Sequence, residues 1–275
     1  MDLQHILSEV KALAVEAGQF IANQRESFDA SKVELKQSHD YVSYVDKRSE
    51  EMVVSRLREI LPEAGFITEE KTVEQMNEQM AYFWVVDPLD GTTNFIHNLA
   101  PYCVAIALRS KTEILLGVVY EVTRKELYSA AKGMGAFLNE RPIRVSGQTD
   151  MDNALVMIGY PYNADGWRTF CLNLTGKLYG HCASIRSNGS AEAELCYVAS
   201  GKIDAYVESF IQPWDVAAGA CILQEAGGRI SDYEGTEALW PSGRQVLATN
   251  GSLHGEMLKI IINLKMEKSY DFRHA

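Results

Sequence analysis

Trp84-Val85-Val86-Asp87-Pro88-Leu89-Asp90-Gly91-Thr92-Thr93-Asn94-Phe95 is an apolar strand that runs straight into two aspartates. Pro88 stiffens the turn, and Gly91 lets the backbone approach a partner closely. Two carboxylates with a carbonyl between them suit a hard cation such as magnesium, which takes oxygen ligands. A short helix starting after Gly91 would offer free N–H groups to a phosphate. A turn with helix-capping Asp and Thr has the same pattern, so on this stretch alone both readings stand.

Outward from it, the chain alternates strand and helix signals. Leu3, Ile6, Leu7, Val10, Leu13, Ala14, Ala17 and Ile21 recur at helical spacing and predict an amphipathic helix over 3–21. Residues 32–45 alternate like a hairpin, and a second helix is predicted over about 46–60, limited by Pro62. Strand signals at 83–86, 104–108, 114–120 and 126–130 follow, the last three spaced as an antiparallel meander. The second half predicts strands at 154–158, 205–208 and 246–248, and helices at 167–179, 191–200, 213–226 and 255–264. Pro213 fits the first turn of its helix, and Gly227-Gly228 follow its end. The mixture predicts a layered α/β (α+β) fold. One domain, 1–275, is expected, with subdomains of about 1–145 and 146–265 and a polar tail at 266–275.

Two further acidic segments stand out. Gln212-Pro213-Trp214-Asp215-Val216-Ala217-Ala218-Gly219 puts Asp215 in the first turn of a helix. There the helix dipole alone favours a negative charge, and a third metal carboxylate is the functional alternative. Phe66-Ile67-Thr68-Glu69-Glu70 is an apolar strand ending in paired acids, for which surface charge is the ordinary reading.

Composition narrows the partners. Lys and Arg number 26 against 37 Asp and Glu, a net charge of −11. That balance argues against nucleic acid or an anionic membrane as the main partner. It leaves open an anionic small substrate held through metal ions. The cysteines, 5 in number, show no C-x-x-C spacing, which predicts free buried thiols rather than disulfides or zinc. The start shows no secretory signal and no apolar run approaches a membrane span, so a soluble cytoplasmic protein is expected. None of the histidines pairs with a nucleophile motif, and histidine is in any case a poor magnesium ligand.

Taken together, W-V-V-D-P-L-D-G-T-T-N-F (84–95), W-D-V-A-A-G (214–219) and Glu69-Glu70 resemble the inositol monophosphatase family of magnesium-dependent, lithium-sensitive phosphomonoesterases. Lys36, Asp46, Gly189-Ser190-Ala191 and Asp204-Ala205-Tyr206-Val207-Glu208 extend the likeness along the chain. The resemblance implies a layered α-β-α-β-α sandwich of the inositol monophosphatase and fructose-1,6-bisphosphatase type, with homodimers common. It implies that Glu69, Asp87 and the Leu89 carbonyl bind one magnesium, and Asp87, Asp90 and Asp215 a second. A third, weaker magnesium would sit near Glu69. Thr92, hydrogen-bonded to Asp46, would help Glu69 position the attacking water, and the N–H groups of Gly91 and Thr92 would hold the phosphate. Lys36 would lie on the phosphate side. Glu208 would contact substrate hydroxyls, steadied by Arg186, with Ala191 lining the pocket. A water activated by such cations gives up its proton near neutral pH, and attack needs no covalent intermediate.

Two positions depart from the family pattern. Glu192 stands where small apolar residues are usual, facing either solvent, a neighbouring subunit or the pocket mouth. Thr68 stands where glycine is common, a mild strand-end change. Thr93-Asn94 favours inositol monophosphate or a related polyol phosphate. Fructose-1,6-bisphosphate, NADP(H), phosphoadenosine phosphate and histidinol phosphate are alternatives within the family. A regulatory binding protein on the same fold is the alternative of a different class.

Overall fold

The computed structural model describes residues 1–29, 33–37, 40–73, 80–162, 167–237 and 245–268. Asp2 accepts the His5 N–H and opens α1 (Leu3–Glu26), whose stripe from Ile6 to Ile21 is buried. A two-stranded ribbon follows, β1 (Glu34–Gln37) antiparallel to β2 (Asp40–Val42). Ser43 ends the ribbon and caps α2 (Tyr44–Ile60) in a reciprocal capping box with Asp46. Val45, expected in the hairpin, is therefore already helical.

The first sheet runs from β3 (Gly65–Thr68) and β4 (Tyr82–Asp90), which are parallel, past a one-turn helix α3 (Thr92–Ile96). It continues through β5 (Cys103–Ser110), β6 (Ile114–Glu121), β7 (Glu126–Ala131), β8 (Ala136–Leu138) and β9 (Arg141–Ile143) in sequence order. From β4 onward every neighbour is antiparallel, and the expected meander is its centre.

The second half gives β10 (Leu155–Ile158), α4 (Arg168–Leu178), β11 (Ser184–Arg186), α5 (Ala191–Ala199) and β12 (Ala205–Ser209). A 3-10 turn at Pro213–Asp215, α6 (Ala217–Glu225), β13 (Arg229–Ser231), β14 (Gln245–Thr249) and α7 (His254–Lys268) complete it. The second sheet is ordered β11-β10-β12-β14-β13. The predicted 213–226 helix is thus two elements, broken at Val216, whose ψ of −20 goes with an extended φ of −138.

Strand alternation explains the layering. On β4, Trp84 and Val86 face a core built with α1 and α2, whereas Val85 faces α5 and α6. Those two helices also cover Tyr206, Val246 and Ala248 on one face of the second sheet. Val156, Val207 and Leu247 on its other face pack under α4 and α7. The result is an α-β-α-β-α sandwich. The five cysteines are free thiols, four of them buried. His254 is buried between Ser231 and Thr249, where it ties β13 to β14. Among the described residues no helix is long and apolar enough to cross a membrane.

Candidate active site

The two aspartates of the opening stretch share a face of the first sheet because β4 carries one extra residue. Asp87 pairs with Ala105 and Asp90 with Cys103, so three steps on β4 match two on β5. Without that bulge, residues three apart would point to opposite faces. Ala105 and Cys103 belong to the core under α5 and α6, so both carboxylates are delivered to the junction between the two sheets. Pro88, which cannot donate to a ladder, sits in the bulge. The Leu89 side chain is buried on the opposite face with α1 and α2. The Leu89 N–H donates to Asp87 Oδ1 at 2.9 Å.

Asp90 is held from across the junction. Ser190 Oγ donates to its Oδ2 at 2.6 Å and the Glu192 N–H at 2.9 Å, while the Ala191 N–H reaches Oδ1 at 3.3 Å. Asp90 therefore supplies the acceptor that the N-terminus of α5 lacks within its own chain segment. Glu192 then does the same for α6: the Ala218 N–H donates to Oε1 at 3.0 Å and the Gly219 N–H to Oε2 at 2.5 Å. Glu192 is wholly buried, which corrects the expectation of a solvent, subunit or pocket-mouth position. Its carboxylate finds amides at a helix end, and this is where a buried acid can be satisfied. Asp215, one turn earlier, takes the Gln212 N–H at 2.7 Å.

The opposite side hangs from α2. Asp46 accepts from the Ser43 N–H and hydroxyl, and its Oδ1 is 2.8 Å from Thr92 Oγ1. The same Thr92 hydroxyl is 2.9 Å from the Leu89 carbonyl, so its single proton serves one acceptor at a time. Glu69 follows β3, its N–H on the Val86 carbonyl at 3.3 Å.

Glu69, Asp87, Leu89, Asp90, Gly91, Thr92, Ala191, Glu208 and Asp215 all line one cleft of about 150 Å³. Asp46 supports it from behind Thr92. Burial, and then Glu69, Asp90 and Asp215, push the Asp87 carboxyl well up. Burial and Glu69 do the same to Asp215. Glu208 lies on the far wall with Tyr160 and Tyr162. Burial and Asp90 raise it to about 7, against the Tyr206 hydroxyl that donates to it. A Cβ on Gly159 would run into Glu208, so glycine leaves that acid its place. Ile158 is core, while Tyr160 and Tyr162 are exposed at the cleft.

Arg186 does not reach Glu208. It is exposed at the end of β11 and donates to Ser184 Oγ and the Ile185 carbonyl. Its Nη1 bonds stay on its own strand, and the Tyr206 hydroxyl is what donates to Glu208. Lys36 lies in β1, but its side chain is outside the described residues.

Every candidate ligand is an oxygen donor, and the burial and mutual repulsion that raise Asp87 and Asp215 are what a divalent cation offsets. The chemistry fits magnesium. Among the described residues, however, no three His, Cys, Asp or Glu side chains are gathered tightly enough to hold an ion as they stand. The carboxylates line a cleft without closing on one point, and Asp90 Oδ2 is committed to α5. Sequence reasoning missed Glu50, a buried acid on α2 next to this site. Its signal was only its place one helical turn after Asp46.

The chain matches the inositol monophosphatase family over residues 2–265. It is 41% identical over 222 residues to Nus factor SuhB of Escherichia coli, covering 81% of this chain and 83% of that protein. Extragenic suppressor protein suhB from Bartonella henselae superposes with a TM-score of 0.87 at 32% identity, over 94% of this chain and 98% of that one. Inositol monophosphatase from Anabaena (Nostoc) does so with a TM-score of 0.83 at 32% identity, over 96% and 97%.

Proposed function

This chain belongs to the inositol monophosphatase family. On that premise we propose that it is a magnesium-dependent phosphomonoesterase acting on inositol monophosphate or a related sugar or polyol phosphate. The observation that supports this most is the meeting of Glu69, Asp87, Asp90 and Asp215 in one cleft with Thr92 and Glu208. Glu69, Asp87 and the Leu89 carbonyl would hold one magnesium, and Asp87, Asp90 and Asp215 another, with a weaker third near Glu69. Bound magnesium supplies positive charge to the phosphoryl oxygens and lowers the proton affinity of the attacking water.

The protein's own groups do the rest. Glu69 and Thr92 orient the water, and Asp46 holds the Thr92 hydroxyl. The N–H groups of Gly91 and Thr92 steady the phosphate. Attack forms one P–O bond and breaks the ester P–O bond; the alcohol leaves with a proton and inorganic phosphate remains. Glu208 accepts hydrogen bonds from the hydroxyls of the leaving alcohol. Lithium sensitivity and a homodimer belong to the same reading.

The test is phosphate release with and without magnesium. The panel is inositol-1-phosphate, fructose-1,6-bisphosphate, phosphoadenosine phosphate, NADP and histidinol phosphate. We expect magnesium-stimulated release, fastest on the inositol ester. A different leader would move the substrate assignment. No stimulated release on any ester would favour the second reading, a regulatory binding protein on this fold, which the name Nus factor of the Escherichia coli relative supports.

A further inference from the structure

Glu50 follows Asp46 by one turn of α2 and is wholly buried. Among the described residues its carboxylate accepts four hydrogen bonds, from the last residue of β3 and the short segment that follows it. Thr68 Oγ1 donates to Oε1 at 2.9 Å, and the Glu70 N–H to Oε2 at 2.7 Å. The Thr72 N–H and the Thr72 hydroxyl each donate to Oε1 at 2.7 Å. Three of the four fall on Oε1 and one on Oε2, so this segment engages both carboxylate oxygens. Glu69 lies between Thr68 and Glu70. Its backbone is thus gripped on both sides, while its residue lines the cleft.

The same helix holds the other wall. Asp46 takes Thr92, and Ser49 Oγ donates to the Pro88 carbonyl at 3.0 Å. Positions 46 and 50 share one face of a helix, so α2 sets the distance between Thr92 and the Glu69 segment. We propose that Glu50 is a positioning residue for Glu69, fixing the segment from which that carboxylate reaches the cleft. The proposal rests on the phosphatase reading for its catalytic consequence, and on the hydrogen bonds alone for its structural one.

The experiment compares wild type, Glu50→Gln and Glu50→Ala by three measurements. In metal-free protein, hydrogen exchange over residues 68–73 is expected to quicken about tenfold in Glu50→Ala, with the sheet amides unchanged. Calorimetry with magnesium chloride should show affinity weakened about tenfold. Turnover of the best ester should lose kcat while KM stays within about twofold. Glu50→Gln, which keeps one carbonyl acceptor and the shape, should fall between, and it carries the comparison if the alanine variant does not fold. Unchanged exchange at 68–73 overturns the proposal. So does unchanged magnesium affinity, or a uniform loss of protection across the whole protein. If the wild type releases no phosphate, the phosphatase reading fails, while exchange and calorimetry still decide the role of Glu50.

Discussion

Thr68 is buried against Glu50, and its hydroxyl is one of the four donors to that carboxylate. It stands where a mild strand-end change was expected, yet it is part of the grip on Glu69. Thr68→Val keeps the shape and the strand preference but removes the donor. We expect a loss of about 1–2 kcal/mol and a melting temperature lower by about 2–8 °C, read by thermal unfolding in the presence of EDTA. An unchanged melting temperature would mean the hydroxyl contributes nothing. Asp46, Asp87, Asp90 and Thr92 were legible because their segments carry a motif. Glu50 was not, since it lies among Arg48 and Glu51, both exposed, and only partners 18 to 22 residues ahead reveal its burial. Arg186 was misplaced for the converse reason: a strand residue's partner depends on acceptors that sequence does not order in space.

At the level of elements, two helices take their N-terminal acceptors from neighbours. Asp90 on β4 serves α5, and Glu192 in the first turn of α5 serves α6. Glu192 thereby links the element carrying Asp90 to the one that follows Asp215. Glu192→Ala strands two buried N–H groups, but it also removes a carboxylate whose pKa burial and Asp90 push well up. The first effect is the larger, since an unsatisfied buried donor costs about 1–3 kcal/mol. A net loss of roughly 1–3 kcal/mol is therefore expected in urea unfolding. Equal or greater stability in the variant would show that the buried charge costs more than the amides gain. Most elements were legible from periodicity, with ends off by a few residues. The β4 bulge and the break at Val216 were not, because both are set by pairing and packing: nothing in an alanine-rich run marks where 3-10 geometry gives way to α.

For the molecule as a whole, the net charge of −11 is not only a solvated surface. Asp46, Glu50, Asp87, Asp90, Glu121, Glu192, Glu194 and Asp204 are all buried. Several bind main-chain amides outside the cleft lining, as Glu121 does at Thr123 and Arg124, and Asp204 at Leu155. Such burial has a pH consequence that Glu194 and Glu208 make measurable. Burial and Glu208 raise Glu194 to about 8, and burial and Asp90 raise Glu208 to about 7, from an ordinary 4.5. An acid with a raised folded pKa keeps its proton in the native state after the unfolded chain has lost it. Stability then falls as pH rises, by about 1.4 kcal/mol per pH unit for each retained proton. The fall ends once pH passes the folded values. His254, lowered to about 4 by burial, works the other way but only below its unfolded value near 6.5. From pH 6.5 to 8.5 His254 no longer opposes the fall, and Asp87, Asp215 and Glu192, pushed up by burial and neighbouring acids, act in the same direction. In EDTA the urea midpoint should decline steadily across this window, and Glu194→Gln should flatten the upper half of that decline. A midpoint that is level or rising over this window in the wild type would mean that the buried acids, Glu194 and Glu208 among them, are already ionised in the fold.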